Sequence, residues 1–440
     1  MVKIAVAGTG YVGLVTGVCL AEKGHFVNCV DIDEDKVRLM KSGISPIYEP
    51  GLEELMVRNM EMLDFTTDYK EAYKDADVIF IGVGTPERLD GSANLSYVYS
   101  AAKEIAKSVE KDSVVVIKST VPIGTNDKVY EIIKENLSKD VNVYVASNPE
   151  FLSQGTAVKD TLHPSRIIIG AEEEYPKNIL KEVYEEFDAP IVMTNRRSAE
   201  MIKYASNDFL ALKISFINEI SNLCEVIGAD IEDVSLGMGL DSRIGNKFLN
   251  PGVGYGGSCF PKDTKALHWL ANFHDIELKT IKAAIDVNEN QKIKLIKKSR
   301  KYYDNLNGLS VAVLGLTFKP GTDDLREAPS LVNIPIMLED GAKIKAWDPA
   351  GVNNFKKVYP NEITYTNTIE ESLIDADVCF IFTEWDEVKK FDISKYSKLM
   401  RCPIVLDGRN CYDPLHARKA NIIYDSIGRE TIKNLEYALI

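Results

Sequence analysis

Short apolar runs, each closed by small or polar residues, recur along the first part of the chain. Ile4–Ala7 enters Gly8-Thr9-Gly10-Tyr11-Val12-Gly13, and a helical pattern follows through Leu20 to Gly24. His25–Val30 reads as a second strand ending at Asp31. Val78–Val83 leads to Gly84-Thr85-Pro86, Val114–Lys118 to Ser119-Thr120-Val121-Pro122, and Val143–Ala146 to Ser147-Asn148-Pro149-Glu150-Phe151. Strand patterns alternating with helical ones predict βαβ units and a parallel sheet, whose ligands gather beyond the carboxyl ends of the strands. Thr85, Thr120 and Glu150 are therefore expected at one edge. Taken singly, each reads first as a turn or cap residue; it is their shared placement that favours a site.

The texture changes near Ser198. Met201, Phe209, Leu212, Phe216, Ile220 and Leu223 recur at helical spacing, with no Pro or Gly before Gly228. The pattern predicts a long helix bridging two domains. Lys203 and Asn207, four residues apart, share one face of it, where a lysine and an amide together can hydrogen-bond an oxyanion; a solvated helix face is the plain alternative. Further helical patterns span Asp263–Leu270 and Lys279–Lys298, and this all-helical region is a natural subunit interface. From Leu309 the opening is echoed. Ser310–Leu314 enters Gly315-Leu316-Thr317-Phe318-Lys319-Pro320, Ala342–Trp347 ends at Asp348-Pro349, and Asp375-Ala376-Asp377-Val378 repeats Asp75-Ala76-Asp77-Val78. The glycine fingerprint is lost in this copy, which argues against a second dinucleotide. Lys319, Arg326 and Arg409 follow its strands as candidate phosphate-holding cations. The fold expected is α/β: two Rossmann-like doubly wound domains, 1–197 and 301–440, joined by a long central helix and helical dimerisation region, 198–300.

Composition narrows the function. At 440 residues more than one core is required. No apolar run has the length of a membrane span, and Lys3 opens directly into a strand pattern, so a cytoplasmic location is expected. The seven cysteines are widely spread without a C-x-x-C pair, which speaks for reduced thiols and against a disulfide framework or structural zinc. Five scattered histidines give no metal site, and a net charge of −14 disfavours nucleic acid and membrane surfaces.

Two motifs carry chemistry. Gly8, Gly10 and Gly13 between a strand and a helix fit the dinucleotide turn, and Asp31 at the end of the second strand suits a ribose hydroxyl and repels a 2′-phosphate, favouring NAD over NADP. Lys36 and Arg38 lie nearby. The second motif is Pro251-Gly252-Val253-Gly254-Tyr255-Gly256-Gly257-Ser258-Cys259-Phe260-Pro261-Lys262-Asp263: a glycine-rich loop, a thiol, a cation that lowers a thiol pKa and a carboxylate that can orient water. A lone cysteine is otherwise a small buried hydrophobe. NAD together with a nucleophilic thiol points to oxidation of a primary alcohol to a carboxylate, because an aldehyde yields a second hydride only after a nucleophile has added to it.

Gly8–Gly13, Ile47-Tyr48-Glu49-Pro50-Gly51-Leu52, Ser119-Thr120-Val121-Pro122-Ile123-Gly124-Thr125, Asn148-Pro149-Glu150-Phe151-Leu152, Gly256–Asp263 and Asp407-Gly408-Arg409-Asn410 run in register through essentially the whole chain. As a set they resemble the UDP-glucose/GDP-mannose dehydrogenase family, on its UDP-glucose 6-dehydrogenase branch. The resemblance implies a homodimer formed through the central helices, and UDP-glucose oxidised to UDP-glucuronate with two NAD per turnover. It also implies Cys259 as the catalytic thiol, Lys203 and Asn207 steadying the oxyanion, Asp263 and Thr120 positioning water, and Glu150 as base for thioester hydrolysis. Cofactor contacts correspond to Gly8, Gly10, Tyr11, Val12, Gly13, Asp31, Lys36, Thr85, Thr120, Gln154, Lys262 and Arg326. Substrate contacts correspond to Glu150, Phe151, Leu152, Lys203, Asn207, Phe248, Leu249, Asn250, Gly252, Gly256 and Lys319, with Arg243 and Arg409 toward the nucleotide.

One departure stands out. Where the family usually continues Asn-Pro-Glu-Phe-Leu with Arg-Glu-Gly, this chain has Ser153-Gln154-Gly155, and Gln154 can hydrogen-bond but cannot act as a base. Three rival readings remain: a dehydrogenase of GDP-mannose or a UDP-N-acetylhexosamine, a two-electron hydroxyacid dehydrogenase without need of the thiol, and an NAD-binding redox sensor switched at Cys259.

Overall fold

The computed structural model describes residues 1–435; the end of the expected 301–440 domain lies outside them. The chain divides into two compact units, Met1–Ser206 with Trp269–Asp275, and Asn207–His268 with the chain from Ile276 onward.

The first unit is built on an eight-stranded sheet: β1 (Lys3–Ala7), β2 (Phe26–Val30), β3 (Leu63–Thr66), β4 (Val78–Ile81), β5 (Ser113–Ile117), β6 (Val143–Ser147), β7 (Ile167–Gly170) and β8 (Ile191–Thr194). Their order is β3-β2-β1-β4-β5-β6-β7-β8, parallel throughout except where β6 meets β7. The Val- and Ile-rich strands β4 and β5 are buried along their whole length, as strands covered by helices on both faces must be. One core layer packs β1, β2 and β4 side chains against the helix Tyr11–Glu22, the other against the helices Ser96–Ser108 and Thr125–Asn136.

The second unit repeats the plan. β9 (Ser310–Leu314), β10 (Lys343–Trp347), β11 (Ile363–Tyr365), β12 (Val378–Ile381), β13 (Ile404–Asp407), β14 (Ile423–Asp425) and β15 (Ile432–Lys433) are ordered β11-β10-β9-β12-β13-β14-β15. All pair in parallel except β14 with β15. The echoed Asp-Ala-Asp-Val segments do the same job twice. Asp77 accepts the Lys3 N–H at 2.9 Å, and Asp377 accepts the Ser310 N–H at 2.8 Å, each fixing the start of the strand that opens its sheet in chain order. The turns after β1 and β9 likewise open on glycines in the left-handed region, Gly8 at φ 92° and Gly315 at φ 89°.

The long helix runs from Arg196 to Ile227, so the expected span is observed. Strand ends move by one or two residues, and the expected helix over Lys279–Lys298 is two, Lys279–Lys292 and Lys294–Ser299, broken at Ile293. The pattern over Asp263–Leu270 belongs to a longer helix, Phe260–Phe273.

Backbone contact sets the glycine turn. A Cβ on Gly13 would lie 1.9 Å from the Gly8 carbonyl oxygen, where no side chain can yield. Gly13→Ala is expected to lower unfolding stability by about 2 kcal/mol or more, measured by urea titration of the full chain.

Candidate active site

In the first unit the strand ends do converge. The Thr85 hydroxyl, after β4, donates to the Thr120 carbonyl, after β5, at 2.9 Å. Glu150 follows β6; its Oε1 lies 2.8 Å from Lys203 Nζ and its Oε2 accepts the Leu152 N–H at 2.8 Å, with both charged side chains buried. Phe151 is covered by two cations: the Arg166 guanidinium stacks 3.8 Å above its ring and Lys203 Nζ lies 5.3 Å from its centroid. Lys203 thus lies inside the unit; the solvated-face alternative does not hold for it.

The dinucleotide turn has the open backbone a pyrophosphate requires. Gly10 precedes the first turn of the helix Tyr11–Glu22 without a side-chain cap, and a Cβ placed on it would meet nothing within 4 Å. The early N–H groups of the helix are therefore left for an anion. Tyr11 ties this turn to the following segment by donating its hydroxyl to the Tyr48 carbonyl. Asp31 accepts the Thr9 N–H at 3.0 Å and the Asp33 N–H at 3.1 Å. Burial raises its carboxyl, but these bonds, the Thr9 hydroxyl and the charge of Lys36 outweigh it and hold Asp31 below the usual carboxylate range. Gln154 Oε1 is buried without a protein partner, as suits a side chain that meets a ligand.

In the second unit the glycine loop is strapped from several sides. Asn218 Oδ1 accepts the Gly252 N–H at 2.8 Å, Gln291 donates to the Gly252 carbonyl at 2.7 Å, Asn288 Oδ1 accepts the Tyr255 N–H at 2.8 Å, and the Gly257 N–H reaches the Arg326 carbonyl at 2.8 Å. Cys259 is half-buried and immediately precedes the helix Phe260–Phe273, whose first turn closes with the Asp263 N–H on the Cys259 carbonyl. One turn along, Asp263 holds Lys262 Nζ at 2.5 Å and accepts the Asn207 amide at 2.7 Å. Asn207 is accordingly buried as well.

Other expected contacts have more ordinary surroundings. Arg409 donates Nε to the Phe382 carbonyl at 2.9 Å and Nη1 to Gly254 at 3.3 Å, clamping the thiol loop. Arg326 is exposed and doubly bonded to Asp324, and Arg243 is exposed and paired with Asp241. Lys319 Nζ lies 5.7 Å from the Phe318 ring. Leu249 is buried; Asn250 is exposed, and Phe248 adopts a left-handed φ of 63° with its ring 6.1 Å from Phe260.

Three family segments account for most of the chain: the NAD binding domain over residues 2–188, the central domain over 197–290 and the UDP binding domain over 312–414 of the UDP-glucose/GDP-mannose dehydrogenase family. The chain belongs to that family. It is 52% identical to a UDP-glucose 6-dehydrogenase of Bacillus subtilis over 98% of both chains, and 45% identical to one of Rhizobium meliloti over 97% of this chain and 99% of that one. Among solved structures, a UDP-glucose dehydrogenase from Pyrobaculum islandicum superposes with a TM-score of 0.91 at 39% identity, covering 97% of each chain. A UDP-D-ManNAc dehydrogenase from Pyrococcus horikoshii gives 0.85 at 28%, covering 97% of this chain and 99% of the other. The NAD-binding segment and the open turn agree: this family member takes NAD.

The supports of the site were not legible beforehand. Lys118 Nζ is buried 2.8 Å from Asn148 Oδ1 and 3.2 Å from the Tyr184 hydroxyl. Burial pushes its ammonium down to about 8 against the charge of Glu150, which favours it. Glu200 accepts the Gly124 N–H at 2.7 Å and the Asn126 N–H at 2.8 Å, anchoring the segment after Thr120. Glu49, inside a motif quoted above for its wording alone, accepts the Gly155 and Ala157 N–H groups, each at 2.7 Å, and so fixes the Gln154 segment. Among the described residues no His, Cys, Asp or Glu group could hold a metal ion.

Breaking the Glu150–Lys203 pair strands a buried charge. Lys203→Met is expected to lower stability by roughly 3 kcal/mol, and Glu150→Gln added to it to restore part of the loss, both read from urea midpoints.

Proposed function

We propose that the chain oxidises UDP-glucose to UDP-glucuronate, with Cys259 as nucleophile and two NAD⁺ consumed. The observation that carries the reading is the strapped glycine loop that presents a half-buried thiol at a helix N-terminus, with Asn207, Asp263 and Lys262 joined one turn away. A two-electron dehydrogenase has no use for the thiol, and a sensor has none for Lys203, Asn207 and Glu150 together. Similarity at 52% identity to a UDP-glucose 6-dehydrogenase, against 28% to a UDP-D-ManNAc dehydrogenase, supports UDP-glucose over an N-acetylhexosamine.

The steps balance as follows. Loss of a hydride and a proton from the primary alcohol gives an aldehyde; the Cys259 thiolate adds to its carbonyl carbon, and the alkoxide takes a proton to give a thiohemiacetal. Loss of the second hydride and the hydroxyl proton leaves a thioester, whose C–S bond breaks when water adds, giving the carboxylate and returning the thiol. NAD⁺ supplies the hydride acceptor at each oxidation. Lys203 and Asn207 steady the oxyanion, Asp263 and Thr120 position water, and Glu150 takes the proton of the hydrolytic water. Gly8, Gly10, Tyr11, Val12, Gly13, Asp31, Lys36, Thr85, Gln154, Lys262 and Arg326 serve the cofactor; Phe151, Leu152, Arg243, Phe248, Leu249, Asn250, Gly252, Gly256, Lys319 and Arg409 serve the nucleotide sugar.

We further propose the organisation 1–197, 198–300 and 301–440, supported by the three family segments, and a homodimer through the central helices. Phe209, Phe216 and Leu223 recur every seventh residue on the long helix and remain exposed, an apolar stripe suited to a second copy; Leu236 on the following helix and Leu240 at its end are exposed as well. The seven cysteines are widely spread in sequence with no C-x-x-C pair, which supports a reducing, cytoplasmic setting.

The test is turnover of UDP-glucose, GDP-mannose and UDP-N-acetylhexosamines by the purified full chain. Two NADH per UDP-glucose are expected; one NADH, or preference for another sugar, overturns the reading. Cys259→Ser is expected to lose roughly a thousandfold or more in kcat. Glu150→Gln is expected to accumulate a Cys259 thioester detectable by mass spectrometry.

A further inference from the structure

Asp208 is the residue the proposed chemistry leaves unused. It follows Asn207 on the helix Arg196–Ile227, is almost fully buried, and neither of its carboxyl oxygens has a hydrogen-bond partner. The groups that bear on it are known: Asp263 and Lys262 from the helix Phe260–Phe273, and Tyr255 from the thiol loop, whose phenol is itself pushed up to about 12 by burial, with the charge of Asp208 adding to the shift. The charge of Asp263 thus bears on buried Asp208, and the two donors on the neighbouring side chains Lys262 and Asn207 both go to Asp263. Lys262 Nζ is 2.5 Å from Asp263 Oδ1, and the Asn207 amide is 2.7 Å from Asp263 Oδ2. A buried carboxylate without cation or donor keeps its proton instead. Burial, reinforced by the charge of Asp263 and opposed by Lys262, pushes Asp208 up to about 8.

We propose that Asp208 is a positioning residue that carries the proton of this carboxyl pair, leaving Lys262 and Asn207 to Asp263 alone. Its neutrality matters because a second carboxylate there would compete for Lys262 and for the Asn207 amide, loosening the group assigned to orient water beside Cys259. That last link rests on the function proposed above; the protonation itself does not.

The linkage has a definite sign. Unfolded, the acid ionises near 3.8; folded, it keeps its proton to about 8. The folded state therefore binds the extra proton in that window, and stability falls as pH rises through it, levelling above about 8. Asp208→Asn imitates the neutral acid and removes the dependence. The melting temperature of the variant relative to the unaltered chain is expected to rise by at least about 2 °C from pH 6 to pH 8, and by much less from pH 8 to pH 9. In infrared spectra of the same two proteins, a protonated-carboxyl band dependent on Asp208 is expected at pH 7 and absent at pH 9.5; should Asp208→Asn not fold, Asp208→Ala serves the subtraction. The ratio of kcat at pH 9 to kcat at pH 7 is expected to be at least about threefold higher in Asp208→Asn. A pH-independent melting difference, or no Asp208-dependent band at pH 7, overturns the proton assignment. Equal kcat ratios overturn the positioning role. Melting and infrared contain no sugar, so they decide the proton even if the sugar-oxidising function fails.

Discussion

A carboxylate taken out of water must find a donor or keep its proton, and that rule fixes the functional ends of both sheets. Glu49 finds the N–H groups of Gly155 and Ala157, Glu200 those of Gly124 and Asn126, and Glu150 the ammonium of Lys203. Each bond joins segments far apart in sequence, so each fixes a loop that no local preference would hold. The same rule governs Asp263 in the second unit, where Asn207 and Lys262 satisfy both oxygens. The acids expected to work are thus oriented by the desolvation that makes them difficult to bury.

The internal repeat shows how one plan came to serve two ends. In the first turn Gly10 leaves space beside an uncapped helix start. At the matching place in the second, Thr317 is fully buried, with its N–H and hydroxyl on Asp348 at 3.1 and 3.3 Å. Asp348, the counterpart of Asp31, also takes the Leu316 N–H at 2.7 Å and the Trp385 indole at 3.0 Å. At this turn a threonine side chain occupies the place that Gly10 leaves open, and Asp348 takes more protein donors than Asp31 does. The expectation that the second copy binds no dinucleotide came from its missing glycines, and this filling is a physical argument in its favour.

Period and punctuation made the fold largely legible: buried strands read as unbroken Val and Ile runs, and the absence of Pro and Gly before Gly228 marked the long helix. The short strands β3, β11, β13, β14 and β15 were not read, nor were β7 and β8, where nothing in Ile167–Gly170 or Ile191–Thr194 advertises a pairing that depends on a reversal against β6. The convergence of Thr85 with Thr120 was readable from topology, since strand ends of a parallel sheet share an edge. Lys118, Glu200 and Asp208 were not readable. Their character comes from burial, and burial of a charged residue is set by what packs over it, which a single sequence does not state.

The glycines of the thiol loop show why such a segment can be both glycine-rich and closely packed. A Cβ on Gly256 would lie 2.4 Å from the Glu327 carbonyl, one on Gly257 would lie 2.8 Å from the Phe318 ring, and one on Gly252 would lie 2.9 Å from Arg409 Nη1. Missing side chains here permit close approach of elements from the second sheet's loops. Glu327 itself takes a left-handed φ of 55°, held by Lys292 at 2.6 Å, so strain in one loop supports the placement of another. A nucleophile that must meet a carbonyl carbon along one line gains from such fixing, because the orientation is set before the substrate arrives. The second copy of the fold is in this sense the wall against which the thiol loop is packed.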